Sequence, residues 1–318
     1  MKPLVSVIMP AYNGEQFIKE SIDSIVNQTY ENWELIVVDD SSTDGTVNII
    51  ENYTDPRIKL YRNECNKGIS YSTNYAIDKS SGKYLALLDD DDLATANRLE
   101  LQTEYLEEHH EIDILGGRSV CIDERGIIIK HDYDPLRNPK MIKAWMHFAN
   151  RRFSNGTTTI RTEFVRKNNL RFKEDYYGIQ DFKFIADSSK VGNISSIDRI
   201  LQFKRIHERE ATDYYIEKYG DTRKEKYAQL QRESIYDSGF RLTDEELRVI
   251  NELLPEGAIK PLDYEQVKIL IRVLDKMVQQ ARDMKVDYFD ELNVVCRNII
   301  IERFLHPMTY EQLTHLLT

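Results

Sequence analysis

Four carboxylates stand in a row at Asp89-Asp90-Asp91-Asp92, directly after the apolar run Tyr84-Leu85-Ala86-Leu87-Leu88. Like charges packed this closely raise one another's pKa unless a cation sits among them. Hard divalent ions such as Mg²⁺ or Mn²⁺ take carboxylate oxygens and share them with substrate phosphates. A second acid pair, Asp39-Asp40, follows the apolar run Leu35-Ile36-Val37-Val38. The plain alternative is a solvated acidic loop, which is what most charge runs are. Their position argues otherwise. Acids that end a buried strand lie in the crevice at the carboxyl edge of an open α/β sheet, where such sheets bind ligands.

The elements around these acids alternate. Residues 4–9 read as a strand halted by Pro10, and Pro10 to Gly14 as a turn. Ile18, Ile22, Ile25 and Val26 recur at helical spacing, which predicts an amphipathic helix from Glu15. Residues 35–38 form a second strand, Ser41 to Gly45 a capping loop, and 46–53 a short helix. A third strand at 58–61, a helix from Ser70 towards Ser80, and the strand at 84–88 complete the series. The order β-α-β-α-β-α-β with short connections predicts a mostly parallel sheet with helices on both faces.

Further along, a helix is expected over 98–109, a strand at 112–115, and a hairpin pairing 120–122 with 127–129. A helix over 140–149 carries Trp145, a Thr-rich strand follows Asn155, another helix spans 181–190, and 197–206 is extended. After His207 glycine becomes rare. Capping boxes at Thr243–Glu246, Asp263–Gln266 and Thr309–Gln312, with the apolar stripe Val267, Leu270, Ile271, Leu274, Met277, Val278 and Ala281, predict an all-helical extension over 211–318. Its stripes read as packing faces.

Several function classes are excluded. A net charge of −11 argues against a nucleic-acid partner. Three scattered cysteines suggest neither a disulfide framework nor a zinc site. No apolar run reaches the length of a membrane span, and a strand begins almost at once, which leaves no room for a signal peptide. A cytoplasmic protein is expected. The Gly-x-Gly-x-x-Gly of a dinucleotide fold and the P-loop are both absent after the first strand. A nucleotidylyltransferase would carry a glycine-rich basic loop there, and it too is missing.

With these motifs in place, the chain resembles the family 2 glycosyltransferases, whose GT-A fold is a single α/β domain that binds a nucleotide sugar. The matching stretches are Val5–Asn13, Glu34–Thr46, Asn66-Lys67-Gly68, Gly82-Lys83-Tyr84 and Leu88–Asp92, with coverage from about residue 4 to about 210. The resemblance implies a GT-A domain over 1–210, with a nucleotide-sugar half at about 1–95 and an acceptor half at about 96–210. It implies that Pro10, Tyr12, Asp40 and Lys67 hold the nucleotide, Tyr12 by stacking and Asp40 by accepting from a base N–H. Asp89 and Asp90 fall among the nucleotide-sugar-binding residues, Asp90 at the ribose, and Asp91 becomes the principal ligand of Mn²⁺ or Mg²⁺ on the diphosphate. Four acids in a row leave that register open by one residue.

Gly178-Ile179-Gln180-Asp181-Phe182 resembles the family's Glu-Asp motif, with Asp181 at the position of the general base and Gln180 departing from the usual Glu. A helix N-cap is the structural alternative for Asp181. Leu201 to His207 resembles the strand that ends in Arg-x-His, which brings His207 to the metal or diphosphate. Gln202-x-x-Arg205 is similar to the motif of processive synthases, but Ile206 replaces its Trp and no pore helices exist. The implied function is inverting transfer from a nucleoside diphosphate sugar, a UDP-sugar, to a saccharide or lipid-linked acceptor in cell-surface polysaccharide or glycoconjugate synthesis. Trp145 and residues 155–161 are expected near the acceptor. Peripheral association with the inner membrane face and a homo-oligomer through the tail are compatible with this reading. The competing reading is a non-catalytic carbohydrate-binding or scaffold module that keeps the fold.

Overall fold

The computed structural model describes residues 2–131, 136–149, 154–207, 211–255 and 262–302, with residue 131 and residues 211–213 described by their backbone alone. The third expected capping box, at Thr309, lies outside the described residues. In chain order the elements are β1 (Val5–Ala11), α1 (Ile18–Val26), β2 (Trp33–Asp39), α2 (Thr46–Glu51), β3 (Ile58–Arg62), α3 (Ile69–Lys79) and β4 (Tyr84–Leu87). There follow β5 (Leu93–Ala94), α4 (Arg98–Glu108), β6 (Ile114–Ile122), β7 (Ile128–His131), α5 (Pro139–Trp145), β8 (Thr159–Arg161), α6 (Thr162–Lys167), α7 (Gln180–Val191) and β9 (Ile194–Arg205). The chain continues through α8 (Ala211–Asp237), α9 (Asp244–Leu253), α10 (Tyr264–Met284) and α11 (Phe289–Ile300).

The sheet runs β3-β2-β1-β4-β8-β6-β9-β5, with β7 paired to β6. Its first four strands are parallel, and β8, β5 and β7 run antiparallel to their neighbours. β1 and β2 are buried along their whole length, so their apolar runs need no alternation. Pro10 does not halt β1 but lies in it, opposite Val38. Ala11 and Val5 bond to the β2 side, and Ile8 accepts from Leu88 on the β4 side. By alternation Pro10 faces the β4 side, where β4 has already ended, so its missing N–H removes no ladder bond. β6 likewise runs unbroken through Gly116-Gly117. A Cβ on Gly117 would overlap Leu201, so this glycine marks close packing of β9 and not a strand end.

Glu34 on β2 anchors the amino-terminal end of the parallel strands. Burial alone would raise its pKa. Hydrogen bonds from Lys59 (2.6 Å), the Ser6 hydroxyl (2.5 Å), and the Ser81 N–H (2.7 Å) and hydroxyl (2.8 Å) reverse this and bring it to about 2. Against about 4.3 in the unfolded chain, linkage gives about 3 kcal/mol of stability. Half-exposure of Lys59 lets salt screen part of that. The folded pKa is depressed, so the contribution is complete above about pH 4.3 and is lost as pH falls towards 2. Glu34→Gln should therefore cost about 2–3 kcal/mol at pH 7 in urea melts, with the deficit shrinking at pH 3. A deficit independent of pH would contradict this.

The chain divides into two compact units. One comprises residues 1–138 and 152–218, and the other residues 139–151 and 219–318. This differs from a cut at 210 in two ways. Residues 211–218 stay with the sheet, and the break falls where Tyr219 interrupts α8 with non-helical backbone (φ −129°, ψ 20°). Residues 139–151 join the helical unit because their apolar side packs there. Ile142, Ala144, Trp145 and Phe148 are buried, the Phe148 carbonyl accepts from Tyr227 (3.0 Å) and Gln231 (2.7 Å), and His147 sits between Ser234 and Tyr288. Capping boxes start α9 at Thr243 and α10 at Asp263, as the sequence predicts. No described helix is long and apolar enough to cross a membrane.

Candidate active site

β1 and β2 end side by side, β4 stops short of them at Leu87 opposite Ile8, and the loops that follow carry Tyr12, Asp40 and Asp89 to Asp92. Asp40 leaves β2 and is 3% exposed. Its Oδ1 accepts from Asn63 Nδ2 (2.7 Å) and the Lys67 N–H (2.8 Å), and its Oδ2 from the Gly68 N–H (2.7 Å). Asp40 thus fixes the 63–68 loop, and Gly68 meets the turn with φ +88°. Lys67 reaches Tyr71, with Nζ 3.2 Å from its hydroxyl and 4.4 Å from the ring centroid. Tyr12 leaves β1 with its ring half exposed, while its N–H donates to Asp90 Oδ2 at 3.1 Å. A Cβ on Gly14 would collide with that same carboxylate, so glycine there lets Asp90 approach the backbone.

The four acids diverge in role. Asp90 also gives its carbonyl to Ser21 Oγ (2.9 Å). Asp91 turns Oδ2 towards His207 Nε2, 3.0 Å away, and its carbonyl accepts from Arg205 Nε at 3.0 Å. Asp92 is buried, accepting from the Arg205 N–H at 2.8 Å and from Gln202 Nε2. Desolvation, then the Asp91 charge, pushes Asp89 up to about 6, with Lys204 pulling down and Asp181 pushing up. Desolvation and Asp91 likewise hold Asp90 and Asp92 well above the usual carboxylate range. Burial and mutual repulsion thus disfavour the fully ionised cluster unless a cation joins it.

Two buried arginines limit the excess. Arg98 donates to the Leu87 carbonyl (2.8 Å) at the end of β4. Burial pulls its pKa down to about 10 against the charges of Asp92 and Asp89, which leaves it cationic at neutral pH. Arg205 stacks over Phe17 (4.5 Å), pairs with Glu20 (2.7 Å) and donates to the Glu124 carbonyl (3.0 Å). Sequence reasoning did not find Arg98, which sits at the start of an ordinary amphipathic helix. Gln202 and Arg205, whose spacing is similar to a processive motif, here hold Asp92 and Asp91.

Asp181 is the second residue of α7, whose capping position is Ile179, and no side-chain cap bond is present. The N-cap alternative for Asp181 is therefore set aside. Its Oδ1 accepts the Phe182 N–H at 2.8 Å, and its charge reaches Asp89. Trp145, expected near the acceptor, is instead 2% exposed in the interior of the helical unit. Residues 155–161 lie beside β4, where Leu87 N–H donates to the Thr158 carbonyl.

The donor set fits a hard divalent ion of limited protein ligation. Asp91 Oδ2 and His207 Nε2 are separated by about the edge of an octahedron with ligands at ~2.1 Å. Among the described residues no three His, Cys, Asp or Glu side chains converge into a cage. A Mg²⁺-like ion characteristically takes one or two protein donors and fills the rest with phosphate and water.

The glycosyl transferase family 2 profile matches residues 6–178, more than half of the chain. The chain belongs to glycosyltransferase family 2. An uncharacterized glycosyltransferase of Haemophilus influenzae is 36% identical over 242 residues, 73% of each chain. The Escherichia coli UDP-Glc:α-D-GlcNAc-diphosphoundecaprenol β-1,3-glucosyltransferase WfgD is 42% identical over 127 residues, 40% of this chain and half of that one. Among solved structures, the fold matches S. aureus TarS in complex with UDP-GlcNAc, with a TM-score of 0.64 at 21% identity, over 95% of this chain and 89% of that one. A Pyrobaculum calidifontis mannosyltransferase bound to GDP-Man and Mn²⁺ matches with a TM-score of 0.55 at 16% identity, over 100% and 84%. The fold is thus the GT-A-type α/β sheet with a helical carboxyl-terminal region, and the chain is a glycosyltransferase.

Proposed function

We propose that this family 2 enzyme transfers a sugar, with inversion, from a UDP-sugar to a hydroxyl of a lipid-linked saccharide during cell-surface polysaccharide assembly. The observation that carries the reading is the 3.0 Å approach of Asp91 Oδ2 and His207 Nε2 in the acidic run after β4, with the Asp181 charge felt at Asp89. The UDP in the TarS complexes and the UDP-Glc in the WfgD name favour uridine, and the WfgD acceptor favours a lipid diphosphate.

In this reading the base lies against Pro10 and the exposed Tyr12 ring, beside the loop that carries Lys67. Three of the roughly four acceptor positions on Asp40 are already used, which leaves one for a base N–H. Asp90 faces the ribose. Asp91 and His207 would hold a Mg²⁺ or Mn²⁺ ion, which would supply Lewis-acid chemistry to the diphosphate leaving group. Asp181 takes the proton of the acceptor hydroxyl as that oxygen bonds to the anomeric carbon and the bond to phosphate breaks. General-base help of this kind is worth ~10²–10⁴-fold.

A panel of nucleotide sugars, each assayed for diphosphate release with Mn²⁺ and with EDTA, tests the reading. Release from a UDP-sugar that EDTA suppresses is the expected outcome. Metal-independent release, or preference for GDP-mannose, would overturn the metal or the uridine assignment respectively.

A further inference from the structure

Asp181 opens α7 after a stretch, residues 171–179, that belongs to no helix or strand. A backbone ladder therefore does not fix where its carboxylate stands. Asn74 of α3 supplies what a ladder would. Its Nδ2 donates to the Phe172 carbonyl (2.8 Å) and its Oδ1 accepts from the Phe172 N–H (3.0 Å), so one amide pairs with both polar groups of a single residue. One turn earlier, Ser70 Oγ donates to the Lys173 carbonyl at 3.2 Å. The Phe172 ring is buried and lies flat on Phe184 of α7, with centroids 4.3 Å apart and planes 2° from parallel. Phe184 follows Asp181 by one helical turn, so a displacement of Phe172 is passed through a close-packed contact to the start of α7.

The head of α3 is the nucleotide loop. Asp40 Oδ2 accepts the Gly68 N–H there, and Asn63 Nδ2 donates to Asp40 Oδ1 (2.7 Å) and to Ser72 Oγ (2.9 Å). A second clasp joins the same two loops. Tyr215 Oη lies 3.9 Å from where a Cβ on Gly68 would stand, and its ring lies 6.2 Å from that of Tyr177. We propose that Asn74 is a positioning residue for the general base, holding the loop before Asp181 in register with the helix that begins at the nucleotide site. The inference rests on the reading of Asp181 as that base.

The residue type carries the argument. An amide presents a donor and an acceptor side by side, which matches the N–H and C=O of a peptide unit. Aspartate would keep the bond from the Phe172 N–H but set its second oxygen against the carbonyl, and alanine would offer neither bond. The pair Arg171–Asp78 (2.8 Å) joins the same loop to the same helix, but solvent reaches both side chains and such a pair fixes little.

The test uses the full chain with Mn²⁺. UDP release is followed from UDP-glucose and UDP-N-acetylglucosamine as donor probes, with water as acceptor, and UDP binding is followed by calorimetry. Asn74→Ala should lower kcat by ~10–10²-fold, since a misplacement of ~1 Å in a reacting group costs on this scale. UDP affinity should stay near wild type, because the donor contacts are untouched. Asp78→Asn, which breaks only the exposed pair, should leave kcat unchanged. In the Asp181→Asn background Asn74→Ala should cost nothing further, since nothing is left to position. Hydrogen exchange, which needs no turnover, should speed up over residues 171–181 in Asn74→Ala while residues 63–68 hold. If thermal melts show Asn74→Ala unfolded, Asn74→Asp, which keeps the acceptor for the Phe172 N–H, carries the same measurements. Unchanged kcat or unchanged exchange in the folded variant overturns the proposal. So does an equal loss of kcat in both backgrounds, or a loss of UDP affinity in step with kcat. Wild-type turnover in Asp181→Asn would sink the base assignment and this inference with it. A crippled Asp181→Asn beside an unaffected Asn74→Ala would sink the inference alone.

Discussion

Asp91→Asn is expected to remove metal-dependent UDP binding and to lower turnover by ~10²-fold or more, because Lewis-acid stabilisation of the leaving group is worth several kcal/mol. The fold should survive. Residue 91 is held through its carbonyl by Arg205, so an isosteric amide leaves the backbone in place. Asp92→Asn should behave in the opposite way. Its two oxygens each accept a buried donor, from the Arg205 N–H and from Gln202, and an amide offers only one acceptor. Leaving a buried donor unpaired costs ~1–3 kcal/mol, so the melting temperature should fall while folded protein still binds metal and UDP. Calorimetry of UDP with Mn²⁺ and with EDTA, beside thermal melts, reads both effects. Loss of metal dependence in Asp92→Asn at an unchanged melting temperature would move the ligand by one residue.

That separation explains what the sequence could and could not tell. Buried runs such as Val5–Met9 and Leu35–Val38 are legible because burial on both faces removes the need for polar alternation, and acids at their ends mark the crevice. The division of labour among Asp89 to Asp92 is not legible, because it depends on Gln202 and Arg205, more than a hundred residues away, and on which carboxylate they reach first. Arg98 hides for a similar reason. A guanidinium at a helix start reads as solvated until Leu87 and the acids are found around it. Trp145 misled because a helix stripe does not say which unit it packs against, and residues 139–151 pack with helices from the other end of the chain. At Gly116-Gly117 a break and a close approach look alike without Leu201 in view.

Asp181→Asn should give the largest loss of all in turnover, ~10²–10⁴-fold, with donor and metal affinity near wild type. The structure sharpens this, since Asp181 is not the cap of α7 and its removal cannot act by uncapping the helix. Asn retains an oxygen for the Phe182 N–H. The lost charge in the first helical turn costs ~0.3–1 kcal/mol, but the repulsion that Asp181 exerts on Asp89 disappears with it. Stability should therefore barely move, which makes turnover a clean readout. Gln180→Glu restores the acid usual in the family and should keep turnover close to wild type, because residue 180 is partly exposed and opens the helix where negative charge is favoured. A folded Asp181→Asn enzyme with wild-type turnover would remove Asp181 from the chemistry. The non-catalytic scaffold reading makes a different forecast, since neither substitution would then have any turnover to change. A single nucleotide-sugar assay on the wild type, run before the variants, separates it from the catalytic reading.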